Sequence, residues 1–163
     1  MSLTLHTNLG DLKIELFCDQ APKACENYLA LCASGYYNGT LFHRNIAKFL
    51  IQGGDPTGSG KGGSSIWGEC FDNEIKEELV FDKKGVLACA NKGRPNTNGS
   101  QFFITFNELP HLNNTATIFG HVIDGFDTLD KMERVRVGEK NRPVRPISIE
   151  RITIHANPIA DME

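Results

Sequence analysis

The chain has 163 residues, 40% of them hydrophobic and 23% charged, with 17 Lys and Arg set against 20 Asp and Glu for a formal net charge of −3. That length suits one hydrophobic core, so a single domain over residues 1 to 163 is expected, and the near balance of charge argues against nucleic acid or an anionic membrane as the main partner. The five cysteines, at positions 18, 25, 32, 70 and 89, are odd in number and include no C-x-x-C pair, so neither a disulfide framework nor a zinc-ligand spacing is suggested.

Leu3, Leu5 and Thr7, then Leu12, Ile14 and Leu16, alternate on either side of Asn8-Leu9-Gly10, the pattern of a β-hairpin. The same opening lacks the basic start and unbroken apolar run of a secretory leader, and no stretch is long enough for a membrane span. A reducing cytoplasmic or nuclear compartment is therefore expected, and three Asn-x-Ser/Thr matches at Asn38, Asn98 and Asn113 carry little weight. Pro22 stands where a first helical turn tolerates it, and Ala24, Tyr28, Leu31 and Cys32 recur at helical spacing until Gly35.

Strand-like runs follow at Leu41 to Arg44, Phe49 to Gln52, Val86 to Ala90, Gln101 to Thr105 and Thr117 to Val122, separated by glycine-rich loops. This spacing predicts an all-β barrel or sandwich. A second helix is predicted from Phe126 to Glu133, with Asp127 and Asp130 near its start and Lys131 and Arg134 toward its end. In the last strand Ile147 and Ile149 share one parity and Ile152 and Ile154 the other, which a β-bulge near Glu150-Arg151 would reconcile.

The loop GGDPTGSGKGG, residues 53 to 63, invites comparison with a phosphate-binding Walker loop. Such a loop needs glycine five residues before its Gly-Lys pair and Ser or Thr directly after the lysine. Those positions hold Asp55 and Gly62, so nucleotide binding is not expected. The five histidines form no H-x-x-x-H pair, no serine sits in a G-x-S-x-G elbow, and no metal or cofactor is implied. His43 reads as a hydrogen-bonded structural histidine within a strand.

What remains is an arginine among amides and aromatic side chains. Alternation sends Leu50 and Gln52 to one face and Phe49 and Ile51 to the other, while Gln101 and Phe103 oppose Phe102 and Ile104. Apolar Leu50 and Phe103 beside glutamines on an outer face suggest either a binding groove or a surface that loops and helices cover.

FHRNIAKFLIQGGDPTGSGKGG (42 to 63), ACANKGRPNTNGSQFFIT (88 to 105) and LPHLNNTATIFGHVIDG (109 to 125) together resemble the cyclophilin family, in family order and spacing over nearly the whole chain. Leu-His-Thr-x-x-Gly-Asp at the start, Ile-Trp-Gly at 66 to 68, Pro-His-Leu at 110 to 112 and the ending Thr-Ile-His-Ala-Asn-Pro are similar to the short, single-domain isomerase-like group associated with splicing complexes. The resemblance implies a closed eight-stranded antiparallel β-barrel capped by two helices, with a substrate groove on its outer surface. It implies a peptidyl-prolyl cis/trans isomerase acting as a monomer on proline-containing peptides and proteins, with spliceosomal proteins as candidate partners. The alternative it leaves open is a proline-peptide binding module of a ribonucleoprotein assembly with weak or no catalysis.

Carried over by position, the resemblance puts the catalytic arginine at Arg44 and its supporting glutamine at Gln52. Phe49, Leu50, Phe103 and Leu112 fall in the proline pocket, and Ala90, Asn91, Gln101 and His111 on peptide-binding positions. Three departures stand out. His111 replaces a tryptophan that contacts cyclosporin, so weakened drug binding is expected; Ala116 replaces a histidine or tyrosine at the pocket wall; and Arg94 is an extra residue between Gly93 and Pro95.

Overall fold

A computed structural model describes residues 1–155; Ala156-Asn157-Pro158, part of the resemblance, lie outside the described residues. The N-terminal alternation folds as predicted. Strands β1 (Ser2–Thr7) and β2 (Gly10–Leu16) pair antiparallel with Leu3 opposite Ile14 and Leu5 opposite Leu12, all four fully buried. Helix α1 (Pro22–Ala33) begins with proline, but Ala21 before it offers no side-chain cap. Glu74, from a distant loop, supplies one: its carboxylate accepts from the Lys23 and Ala24 amides at 3.1 and 2.8 Å.

Strands β3 (Arg44–Ile46), β4 (Leu50–Gly53), β5 (Val86–Cys89), β6 (Phe102–Thr105), β7 (Ile118–Asp124) and β8 (Ile149–His155) join the hairpin in one eight-stranded antiparallel sheet, ordered β3-β4-β6-β5-β7-β2-β1-β8. Helix α2 spans Phe126–Glu133, the predicted range. The bulge in the last strand is also found, because Thr7 pairs with Ile149 while His6 pairs with Arg151, leaving Glu150 as the extra residue.

The strands form a curled, half-barrel sheet whose ladder order runs from β3 to β8. The Phe42 amide donates to the Ile147 carbonyl at 2.8 Å and the Ile149 amide to the Thr40 carbonyl at 3.0 Å, linking the chain before β3 to the chain entering β8. One expectation is corrected. The run Leu41 to Arg44 is not one strand: Leu41 makes only single bridges to Asp55 and Ser148, and the β3 ladder starts at Arg44.

Alternation across this sheet divides the apolar side chains into two clusters. Ile51, Leu87, Phe102 and Ile104 face inward with the hairpin leucines, and α1 and α2 lay Tyr28, Leu31, Leu129 and Met132 on that same interior. Leu50, Val86, Ala88 and Phe103, one residue out of phase, face outward into a second cluster with Phe81, Leu109, Ala116 and Ile118. Both readings of the outer face thus hold in part. Loops bury Leu50 and Phe103 to 4% and 6% exposure, and a concave site forms where that cover stops.

Candidate active site

Arg44 and Gln52 are direct cross-strand partners in the β3–β4 ladder, both directed outward and half-buried. One residue out of phase with Arg44, Asn45 points inward, where its Nδ2 donates to the Met132 carbonyl at 2.8 Å and fastens β3 to the end of α2. The arginine therefore stands on a strand anchored from behind. Its Nη1 donates to Gln52 Oε1 at 3.4 Å, Gln52 Nε2 donates to Gln101 Oε1 at 2.9 Å, and Gln101 Nε2 donates to the carbonyls of Gly60 and Gly62 at 3.0 and 2.9 Å. The chain of amides thus runs from the guanidinium to the glycine-rich loop, fixing each side chain by the next.

That loop is itself organised around an anion of its own. Asp55 is fully buried, and its carboxylate accepts from the amides of Thr57, Gly60 and Gly62 at 2.8, 2.7 and 3.0 Å and from the Thr57 hydroxyl. Burial pushes the Asp55 pKa up, but the donors from Gly62, Thr57 and Gly60 outweigh it and hold the carboxyl at about 2. A Cβ on Gly62 would come within 2.5 Å of Asp55 Oδ1, so only glycine lets the loop close so tightly. The amides that a phosphate would need are already taken by Asp55.

His43 packs beside this loop, with its ring 3.2 Å from where a Cβ on Gly60 would lie. Burial lowers its pKa, opposed by Asp55 and assisted by Arg142 and Arg44. The expectation of a hydrogen-bonded histidine within a strand is not met: the residue precedes β3, and its buried Nδ1 has no partner among the described residues.

Beside Arg44 and Gln52 opens a cavity of about 560 Å³ whose apolar wall includes Phe49, Leu50, Phe103, Leu112 and Ala116. Phe49 does not follow the strand parity, since it lies in the turn after Lys48, whose φ is +65°, and so reaches the same side as Leu50. Phe103 stacks on Phe81 with centroids 5.8 Å apart and planes at 16°. Ala90 and Asn91 also line the cavity, and Asn91 Nδ2 donates to the Thr115 carbonyl at 3.1 Å.

Eight of the ten sequence-nominated residues meet at this cavity. Gln101 instead lines an adjoining cleft of about 330 Å³, shared with Gln52, Ala90, Asn91 and Gly60 to Gly63. His111 is exposed at the rim, stacked on Phe49 at 6.0 Å between centroids. Arg94 and Ala116, noted above only as departures, do line the cavity, together with Asn73, Asn114 and Thr115, which carried no sequence signal because loop residues obey no periodicity. Among the described residues no group of three or more His, Cys, Asp or Glu is placed to hold a metal ion.

The family model for cyclophilin type peptidyl-prolyl cis-trans isomerases matches residues 2–154. The chain belongs to the cyclophilin-type isomerase family. Peptidyl-prolyl cis-trans isomerase CYP18-1 of Arabidopsis thaliana is 62% identical over 160 residues, 98% of this chain and 99% of that protein. Peptidyl-prolyl cis-trans isomerase-like 3 of Homo sapiens is 59% identical over 161 residues, with the same coverage. A Cryptosporidium parvum cyclophilin type isomerase, solved in the presence of the dipeptide Ala-Pro, superposes with a TM-score of 0.94 at 55% identity, covering 96% of this chain and 100% of that one. The cyclophilin described here is thus a peptidyl-prolyl cis-trans isomerase, and of the two readings left open by its sequence the enzyme is the one supported.

Proposed function

We propose that Arg44 is the catalytic residue, that Gln52 orients it, and that Phe49, Leu50, Phe103 and Leu112 clamp the proline ring of an X-Pro peptide while the preceding carbonyl swings. The observation carrying this reading is the guanidinium, held by a glutamine relay at the edge of an apolar cavity of ring-accepting size. Rotation about a peptide bond costs about 18–20 kcal/mol because the nitrogen lone pair is delocalised into the carbonyl. In the twisted transition state the prolyl nitrogen becomes pyramidal and regains that lone pair, which then accepts a hydrogen bond that the planar ground state cannot. A guanidinium beside it binds the transition state selectively, and no bond is made or broken.

The demand is modest, since an acceleration of about 10⁵ corresponds to roughly 7 kcal/mol. An exchange or protease-coupled assay on an X-Pro peptide tests the assignment. Arg44→Ala should lose at least about 100-fold in kcat/KM, or ~2.7 kcal/mol, while equal turnover by both proteins would remove Arg44 from its role. Ala90, Asn91, Gln101 and His111 are proposed to contact the residues flanking proline. Arg94 adds a cation beside the cavity and favours acidic flanking residues.

On the subgroup resemblance, we further propose that the chain acts as a single-domain monomer in the cytoplasm or nucleus, with spliceosomal proteins among its clients. Retention of those proteins from nuclear extract by the wild-type chain is the expected result, and their absence would remove that assignment.

A further inference from the structure

The single tryptophan of the chain, Trp67, lies outside the isomerase groove and is 41% exposed. It is nonetheless firmly placed. Its amide donates to the Ser65 hydroxyl at 3.2 Å, the Ile66 amide donates to buried Asn27 at 2.9 Å, and the indole meets buried Phe71 edge-on at 5.4 Å between centroids. An aromatic surface so anchored loses little freedom on binding a partner.

Trp67 borders a cleft of about 470 Å³ whose rim carries Glu26, Glu69 and Asp72, all exposed, against one cation, Lys23. Among the described residues none of these three carboxylates is in an ion pair. Lys23 holds its ammonium 5.7 Å from the centre of the indole, showing that this ring face accepts a cation. We propose that the cleft docks an arginine side chain of a partner polypeptide, its guanidinium stacking on Trp67 in place of Lys23 and pairing with the carboxylates of Glu26, Glu69 and Asp72. Arginine fits better than lysine because a planar guanidinium stacks on indole and presents a fork of donors to carboxylates. The acidic rim repels nucleic acid and acidic peptides.

Because the chain has one tryptophan, the site reports on itself. The ¹⁵N-labelled full chain is titrated with a proline-free Arg-Gly repeat peptide, following the indole N–H resonance and fluorescence. Both signals should move saturably, and Trp67→Ala should abolish calorimetric binding while leaving X-Pro turnover unchanged. A Glu26→Gln, Glu69→Gln, Asp72→Asn triple variant should weaken the Kd about tenfold, or ~1.4 kcal/mol. An unmoved indole resonance, an unchanged Kd in the triple variant, or equal affinity for a Lys-Gly repeat would overturn the proposal. So would an indole shift that grows with protein concentration in the absence of peptide, which would assign the cleft to a second copy of the chain.

Discussion

Gln52 faces Arg44 across the β3–β4 ladder and passes its restraint to Gln101, accepting from the guanidinium at 3.4 Å and donating to the second amide at 2.9 Å. The two amides are therefore coupled by a direct hydrogen bond. Gln52→Ala and Gln101→Ala should each lower kcat/KM by about tenfold, and the double variant should lose far less than the product, with a coupling of roughly 0.5–1.5 kcal/mol. Strict additivity in steady-state kinetics would show that the two amides act independently.

Phe102 and Phe103 are neighbours in sequence but belong to different clusters. Phe102 is interior, edge-on to Tyr28 and Tyr37 at 5.2 and 5.4 Å, whereas Phe103 lines the cavity. Phe102→Ala should cost about 3–5 kcal/mol of stability in denaturant melts. Phe103→Leu, which keeps most of the apolar volume, should cost under about 1.5 kcal/mol and instead raise KM. Reversed effects would mean that the parity of β6 is misassigned.

The Asp55 carboxylate sets a pH limit on the loop. Its folded pKa of about 2 lies below the ordinary 3.8, so its stabilisation is complete above pH ~4 and is lost as the pH falls toward 2. Asp55→Asn should remove on the order of 2 kcal/mol at neutral pH and flatten the stability profile between about pH 4 and pH 2. Acid titration of both proteins, read by chemical denaturation, checks this.

Ala116 forms part of the cavity wall and is 9% exposed, so a ring there would extend the apolar contact offered to proline. Ala116→His should lower KM for an X-Pro peptide about three- to tenfold, near 1 kcal/mol, with little change in kcat. A raised KM would mean that the cavity is already filled to capacity by the proline ring.

His111, exposed at the rim and stacked on Phe49, presents a smaller face than an indole would. His111→Trp should tighten cyclosporin binding by at least about tenfold in calorimetry, or ~1.4 kcal/mol. Equal affinities would show that this position does not govern drug response.

Much of the site was legible because a strand's period of two is rigid. Once β4 and β6 were located, Leu50 and Phe103 had to share a face opposite Ile51 and Phe102, and the structure keeps that division. Phe49 escaped the rule because a positive φ at Lys48 redirects the chain in the turn before β4. The Glu150 bulge was legible for the opposite reason, since a change of apolar parity within one strand has few backbone solutions.

Local periodicity and residue type therefore determined the helices, the strand faces and the bulge, and the ordered motifs pointed to Arg44. Only the tertiary structure decided that Gln101 would spend its amide on the carbonyls of Gly60 and Gly62, that Asp55 would fill its own ring of amides, and that Asn73 would meet Arg94 and Ala116 around one cavity. The Asp55 ring closes within one irregular loop, while the others join residues far apart in the chain, and neither follows a repeating pattern. Their geometry follows the curl of the sheet, which brings the chain before β3 against the chain entering β8.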